Sequence, residues 1–166
     1  AAATPIQSER RDEAQTALVL SSPGPTRDDP RRYAAGLLGG VASGLGGRFF
    51  EALRDRQSLA YTVVASPIVR PLAGLFIAYI ATSPEKEDAA RRGLLVEIAK
   101  LRDAPGTAEE LHRAQTYALG TWAIRQESGG AVMGDIADAW LFGSLEDLVE
   151  FGSRLRAVTA ALSRKA

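Results

Sequence analysis

The sequence contains no cysteine, and His112 is its single histidine among 166 residues. Without cysteine there is no disulfide, no thiolate nucleophile and no thiolate metal ligand. His112 lies in "EELHRAQ" beside Leu111, where we expect a solvated helix position, and one histidine cannot supply an ordinary zinc site. The acids of "EKED" and "EE" are typical of first helical turns, where the helix dipole favours negative charge. We therefore expect no metal bound by this chain and no self-sufficient hydrolytic site.

Net charge and long apolar runs are also missing. Lysine plus arginine number 20 and aspartate plus glutamate number 20, so no overall field attracts nucleic acid or an anionic membrane. No run of about eighteen apolar residues is present, which excludes a membrane span by sequence. A chain without cysteine suits the bacterial cytoplasm and the periplasm equally, so localisation stays open.

The length indicates one domain with a substantial core. We expect a flexible segment over residues 1–13 and a single domain over residues 14–166. Because the chain starts without Met, we also expect it to be a piece of a longer protein.

The first half of the chain alternates strands with helices. Apolar alternation predicts a strand over 14–21, and the prolines and glycine of "SPGPTRDDP" predict a loop after it. Asp29 and Pro30 form a typical helix start, followed by a second helix near Gly46. Two strands are predicted over 59–66 and 73–82, paired antiparallel, and the second is apolar on both faces, as a central strand would be.

The second half is helical. Ser83 and Pro84 begin one helix, Thr107 with Glu110 forms a capping box for the next, a short helix covers 131–142, and Ser144 caps the last. Strands followed by helices predict an α+β fold, a two-layer sandwich with a mostly antiparallel sheet and its helices packed on one face.

The glycine-rich stretch "GGVASGLGG" (39–47) has two interpretations. It lacks the Lys-Ser/Thr of a P-loop and follows a helix rather than a strand, so neither nucleotide fingerprint applies. It is either a tight helix-to-helix turn where two backbones pass closely, or a nest of N–H groups for an anion or a peptide carbonyl.

Arg54 and Tyr61 flank the break at Gln57-Ser58 in "EALRDRQSLAYTVVA". The structural interpretation pairs Arg54 with Glu51 on a helix surface and buries Tyr61 in a strand. The functional interpretation starts from the proximity of a helix end to the next strand, which lets both side chains reach one point. A guanidinium and a phenol there would bind backbone carbonyls or an oxyanion rather than move protons.

The segment "LLGGVASGLGGRFFEALRDRQSLAYTVVA" resembles the non-catalytic, C-terminal-type domain of pitrilysin-type zinc metallopeptidases. These are inverzincins, related to insulin-degrading enzyme and mitochondrial processing peptidase. The similarity extends to "AQTALVLSSPGP", "LFIAYIATSPEKEDAA" and "GTAEELHRAQTYALGTWAIRQES", and covers roughly residues 14–160. Its most specific element is the leucine-arginine followed by leucine-alanine-tyrosine at Tyr61.

The resemblance implies a substrate-binding half that faces a homologous H-x-x-E-H domain or subunit across an enclosed chamber. It implies zinc in that partner and a peptide substrate bound by Arg54 and Tyr61. Gly44, Gly46 and Gly47 are implied as further substrate-binding residues. H-x-x-E-H is absent here, so the chain would be inactive alone, and relatives continue beyond "VTAALSRKA", so we expect a truncated C-terminus.

Three functions remain open at the level of sequence. The first is the substrate-binding half of a zinc endopeptidase. The second is a non-enzymatic scaffold subunit of the same fold, and the third is an anion- or nucleotide-binding module using the glycine loop. We also expect the sheet face that lines the chamber in the assembled enzyme to be partly uncovered in an isolated domain, where such an apolar patch favours self-association into a homo-oligomer.

Overall fold

The computed structural model describes residues 5–10, 12–44, 46–104, 106–142 and 145–159. Its three strands are β1 (Thr16–Gly24), β2 (Thr62–Val69) and β3 (Gly74–Thr82), and they form one antiparallel sheet in the order β1-β3-β2. The helices of the described residues are α1 (Arg32–Ser43), α2 (Glu87–Asp103), α3 (Ala108–Arg125), α4 (Gly129–Leu141) and α5 (Asp147–Arg156). A single π-helical turn (Phe50–Asp55) precedes β2, and a 3₁₀ turn (Pro84–Lys86) precedes α2.

The central position of β3 follows from its apolar sequence. Ile80 is fully buried and pairs with Leu18 of β1 on one side and Val63 of β2 on the other. A strand with a neighbour on both sides and a helical layer below needs apolar residues along most of its length. The predictions of a central strand and of antiparallel pairing with β2 are confirmed.

The predicted bounds of β1 and β2 are wrong, and proline is the reason at their C-terminal ends. β1 covers Thr16–Gly24 rather than 14–21, and β2 covers Thr62–Val69 rather than 59–66. Pro23, taken from the sequence as a loop signal, lies inside β1, and Pro67 lies inside β2. Both strands are at the edges of the sheet, where the outer side requires no N–H for pairing.

The helices pack on one face of the sheet, as predicted. α1 contacts β2, and α2 contacts β3 and β1, so that Ala65, Ala78 and Ile80 are buried beneath them. Phe49 and Leu53 are fully buried and complete this core around the π-helical turn. The structure is therefore the expected α+β sandwich.

The opposite face of the sheet is partly uncovered. Val19 is 58% exposed, Val64 39% and Leu75 43%. Apolar residues of adjacent strands thus form an open surface in this chain, as expected from the sequence. No helix within the described ranges is long and apolar enough to cross a membrane.

Local helix signals agree with the structure in most places. Thr107 and Glu110 form the predicted capping box at the start of α3, and Asp29 accepts a 2.8 Å hydrogen bond from the Arg31 N–H just before α1. α4 begins at Gly129 rather than at 131, because the Ser128 hydroxyl accepts from the Ala131 N–H and caps it. The predicted cap Ser144 lies outside the described residues.

Candidate functional site

The break between Arg54 and Tyr61 is a local closure of the helix end. Ser58 adopts a left-handed conformation, with φ of 51°, which few residues other than glycine adopt without cost. Its N–H donates to Arg54 O at 3.0 Å, and the Leu59 N–H donates to Leu53 O at 2.8 Å. The chain therefore reverses tightly here and enters β2 close to the turn that carries Arg54.

Arg54 is exposed and packs on an aromatic ring. Its guanidinium carbon lies 4.5 Å from the centroid of the Phe50 ring, within the range of a cation–π contact. The predicted pairing with Glu51 is wrong, because Glu51 forms its ion pair with Arg56 instead. Within the described residues Arg54 has no carboxylate partner, so its N–H donors remain available for a ligand.

Tyr61 lies immediately before β2, not within it. Its backbone N–H donates to Ala81 O at 2.9 Å, which fixes the residue against β3. The side chain is 76% exposed, so its predicted burial beside Leu59 and Val63 is wrong. Its hydroxyl makes no hydrogen bond to the part of the chain that the structure describes.

Arg54 and Tyr61 line the same cavity, of about 750 Å³, which we call the β2 groove. Its floor is α1, one wall is the edge strand over residues 61–67, and the other wall is α3 over residues 114–125. Ser43 lies in the floor, and its Oγ is 2.9 Å from Ala65 O, which satisfies one acceptor of the strand. Both residues therefore border one open space, and their role as substrate-binding groups stays a prediction.

The glycine loop lies at one end of this groove. Gly44 lines both the β2 groove and a smaller cavity of about 220 Å³, which Gly46 and Gly47 also line. A Cβ on Gly47 would lie 2.8 Å from Ala42 O, and Gly46 has φ of +72°, a conformation that glycine adopts readily. The interpretation as a tight turn is confirmed. The Gly44 N–H donates to Gly40 O of α1 and the Gly47 N–H donates to Gly44 O, which leaves fewer donors for an anion.

An ion pair fixes the loop against α3. The Arg48 guanidinium donates to both carboxylate oxygens of Glu110 at 2.7 Å, and it also reaches Ala104 O at 3.2 Å. Arg48 is the main reason that the pKa of Glu110 falls from 4.5 to about 2. Glu110 therefore carries its charge throughout the physiological range and acts as an anchor.

The chemistry of the β2 groove is that of hydrogen-bond donors and aromatic rings. None of the described residues lining it is an aspartate, glutamate or histidine, so it contains no general base. His112 is exposed on α3 and lies outside the groove. No cluster of three or more acidic, histidine or cysteine side chains that could hold a metal occurs in the described ranges.

Several groove residues escaped the sequence analysis. Gly36, Gly39, Gly40 and Ser43 of α1 form the floor, and Trp122 and Arg125 of α3 form part of the wall. The signal was present, because small residues at positions i, i+3, i+4 and i+7 lie on one face of a helix. Gly39 and Gly40, which begin the glycine-rich stretch, belong to α1.

Comparison with known proteins gives consistent matches. The family model described as the peptidase M16 inactive domain matches residues 3–117. An uncharacterized zinc protease of Streptomyces coelicolor is 27% identical over 151 residues, covering 90% of this chain and 33% of that protein. The chain thus spans about a third of the length of this relative.

Solved structures share the fold. The peptidase M16 inactive domain from Pseudomonas fluorescens superposes with a TM-score of 0.82 at 22% identity, over 92% of this chain and 37% of that one. The inactive peptidase domain of a candidate zinc protease from Bordetella parapertussis superposes with a TM-score of 0.81 at 21% identity. That alignment covers 95% of this chain and 87% of the Bordetella chain.

Proposed function

Because the chain belongs to the family of peptidase M16 inactive domains, we propose that it is the substrate-binding half of a zinc metalloendopeptidase. The pitrilysin-type resemblance is thereby confirmed, and the role of the domain is non-catalytic. One observation carries the proposal: Arg54 and Tyr61 line one groove, and neither side chain has a polar partner within the described residues.

Catalysis requires a second domain. The donors of this chain do not fit zinc, since His112 is exposed and has no second histidine or cysteine to join it. A homologous domain or subunit with H-x-x-E-H would supply the metal and the base. This chain would supply the opposite wall of the chamber and the groups that hold the peptide.

The β2 groove suits an extended peptide. β2 pairs with β3 on one side only, and an exposed strand edge of this kind is a common template for peptide binding through main-chain hydrogen bonds. Arg54 and Tyr61 line the same groove, and their side chains would each donate to a peptide carbonyl. Phe50 supports Arg54 from behind, which limits the freedom that the guanidinium loses on binding.

The test uses the complete protein with its zinc-bearing domain. Tyr61→Phe retains the ring and removes one donor, and loss of an oxyanion-type donor typically lowers kcat by about 100- to 1,000-fold. We expect Tyr61→Phe to lower peptide cleavage at least about tenfold with zinc content and Tm nearly unchanged. Arg54→Lys should show a similar loss, because an ammonium does not reproduce the planar fork.

Arg56→Lys is the matched control. Arg56 lies on the same turn but pairs with Glu51 and does not line the groove, so its substitution should be nearly silent. Wild-type cleavage by Tyr61→Phe, or a larger effect at Arg56 than at Arg54, would favour the non-enzymatic scaffold. Saturable nucleotide binding by this chain would favour the anion- or nucleotide-binding module. The N–H groups of Gly44 and Gly47 already donate to backbone oxygens, which makes this function less favourable.

A further inference from the structure

Gly36 occupies the interior of α1 without a packing reason. A Cβ at this position would meet nothing within 4 Å, whereas a Cβ on Gly40 would lie 3.3 Å from the Ala114 Cβ and one on Gly39 would lie 3.0 Å from Ala65 O. Glycine inside a helix is less stable than alanine because it loses more backbone freedom on folding. Crowding explains Gly39 and Gly40, but it does not explain Gly36.

The space above Gly36 is where two cavities meet. The β2 groove of about 750 Å³ and a second cavity of about 620 Å³, enclosed by α1, α3, α4 and α5, share one set of lining residues. We call this set the junction, and it consists of Gly36, Ala118, Trp122, Arg125 and Phe151. Two small residues and two aromatic rings thus lie where the groove meets the cavity of the helical layer.

The aromatic part of the junction is held in place. The rings of Trp122 and Phe151 stack at 5.5 Å between centroids with an angle of 28°. Phe151 in turn contacts the Tyr33 ring at 6.1 Å, and the Tyr33 hydroxyl donates to Asp147 at 2.6 Å. The rings therefore form a preorganised apolar surface, which loses little freedom when it binds a ligand.

The charge at the junction is already neutralised. Arg125 donates from Nη2 to Asp135 Oδ1 at 2.6 Å and from Nε to Asp135 Oδ2 at 3.2 Å. A charged ligand would find no unpaired opposite charge there and would lose its hydration. An apolar ligand would gain contacts with the rings instead.

Strand geometry directs a peptide side chain towards the junction. Successive side chains of an extended chain alternate between the two faces of the sheet, and Val63 and Ala65 of β2 face the helical layer. A peptide added along β2 would therefore direct every second side chain towards α1 and α3. We propose that the junction is a specificity pocket, opened by Gly36, for a bulky apolar side chain of the peptide substrate. This inference rests on the proposed function.

The experiment fills the pocket in the complete protein. Gly36→Leu places a side chain into open space, so the fold should be retained, and Gly120→Leu is the matched control. Gly120 is also a helix glycine with nothing within 4 Å of an added Cβ, but it lines neither cavity. Cleavage is measured on peptide pairs that differ only in Phe or Ala, with that position moved along the peptide.

At one position, wild type should prefer Phe to Ala by at least about tenfold in kcat/KM, because a single methylene in an apolar pocket already changes that ratio by roughly 10- to 200-fold. Gly36→Leu should reduce that preference to within about threefold by weakening the Phe peptide alone, while Gly120→Leu should keep it. The fluorescence anisotropy of the same peptides, labelled and mixed with protein freed of zinc by a chelator, should show the same selectivity in Kd.

The alternatives give different results. Equal preference for Phe and Ala at every position of the wild-type protein would overturn the pocket while leaving the proposed function intact. A lower Tm for Gly36→Leu without any change in selectivity would indicate that another domain of the protein fills the junction. This result would also overturn the pocket. If Tyr61→Phe cleaves peptides like wild type but Gly36→Leu removes the Phe preference, the pocket is supported and the proposed hydrogen bond from Tyr61 to the substrate is refuted.

Discussion

Arg48 and Glu110, 62 positions apart in the chain, form a bidentate ion pair with both N–O distances at 2.7 Å. The same carboxylate also accepts the Thr107 N–H at 2.7 Å, as part of the capping box of α3. A single glutamate thus connects the glycine loop to the helix that forms the opposite wall of the β2 groove.

This carboxylate should make stability depend on pH. Because the pKa of Glu110 is lowered from 4.5 to about 2, its contribution is present above the unfolded pKa and is lost as the pH falls towards 2. We expect about 1–2 kcal/mol after allowing for partial exposure and screening. Urea unfolding should show Glu110→Gln less stable than wild type at pH 7, with the difference shrinking steadily below pH 4.

Glu109→Gln is the control for this prediction. Glu109 is exposed and pairs with Arg113 at 3.5 Å along the helix surface, so its replacement should change stability little at either pH. A difference between wild type and Glu110→Gln that is the same at pH 7 and pH 2.5 would show that packing, not charge, anchors the loop.

Replacement of two different glycines by alanine should change the stability of the protein in opposite directions. Gly36→Ala should stabilise the protein by about 0.5–1 kcal/mol, because open space surrounds the new Cβ and alanine favours the helix. Gly47→Ala should destabilise it by about 1–3 kcal/mol, since the new Cβ would lie 2.8 Å from two backbone oxygens. Paired denaturant midpoints measure both, and a shift of the same sign in the two variants would contradict the reasoning.

The Tyr33 hydroxyl and Asp147 provide a graded test of a partly buried polar network. Tyr33→Phe removes one 2.6 Å hydrogen bond and leaves Asp147 in contact with Arg32 and Arg154, so it should cost about 0.5–1.5 kcal/mol. Asp147→Asn leaves two guanidiniums without their shared charge and should cost more, about 2–3 kcal/mol. Burial, and then Asp147, raise the pKa of Tyr33, so the hydroxyl stays protonated. Urea unfolding in which Tyr33→Phe destabilises the protein more than Asp147→Asn would contradict this prediction.

Metal content tests whether zinc is bound by this chain or only by its partner domain. The purified chain should contain no stoichiometric zinc and cleave no peptide, because His112 has no second histidine or cysteine with which to form an ordinary site. Elemental analysis should give the same result for wild type and His112→Ala. One zinc per chain that disappears in His112→Ala would refute the expectation.

Local signals were sufficient to predict much of the fold. The capping box of Thr107 and Glu110 is set by four consecutive positions, and the break near Gln57 is set by one left-handed residue, Ser58. β3 was recognisable because a strand with two neighbours must be apolar along most of its length. Each of these features depends on residues close together in sequence, or on burial averaged over a whole element.

The groove and its junction could not be predicted in the same way. They bring together Gly36, Ala65 and Trp122, whose proximity depends on how α1, β2 and α3 pack. The ends of β1 and β2 were missed because Pro23 and Pro67 are tolerated only once both strands are known to be edges. The partner of Arg54 was missed because Glu51 reaches Arg56 instead, across a turn that was expected to be an ordinary α-helix.

That turn has a consequence for how related sequences are aligned. The π-helical turn over Phe50–Asp55 closes with an Arg56 N–H to Glu51 O bond, and such turns correspond to one extra residue inserted into an α-helix. Each residue advances a helix by about 100°, so a chain of the same fold without the insertion would turn a different side chain towards the groove. Its carbonyl-binding donor would then occupy a neighbouring sequence position, and superposition of the groove would identify that donor where alignment by residue type would not.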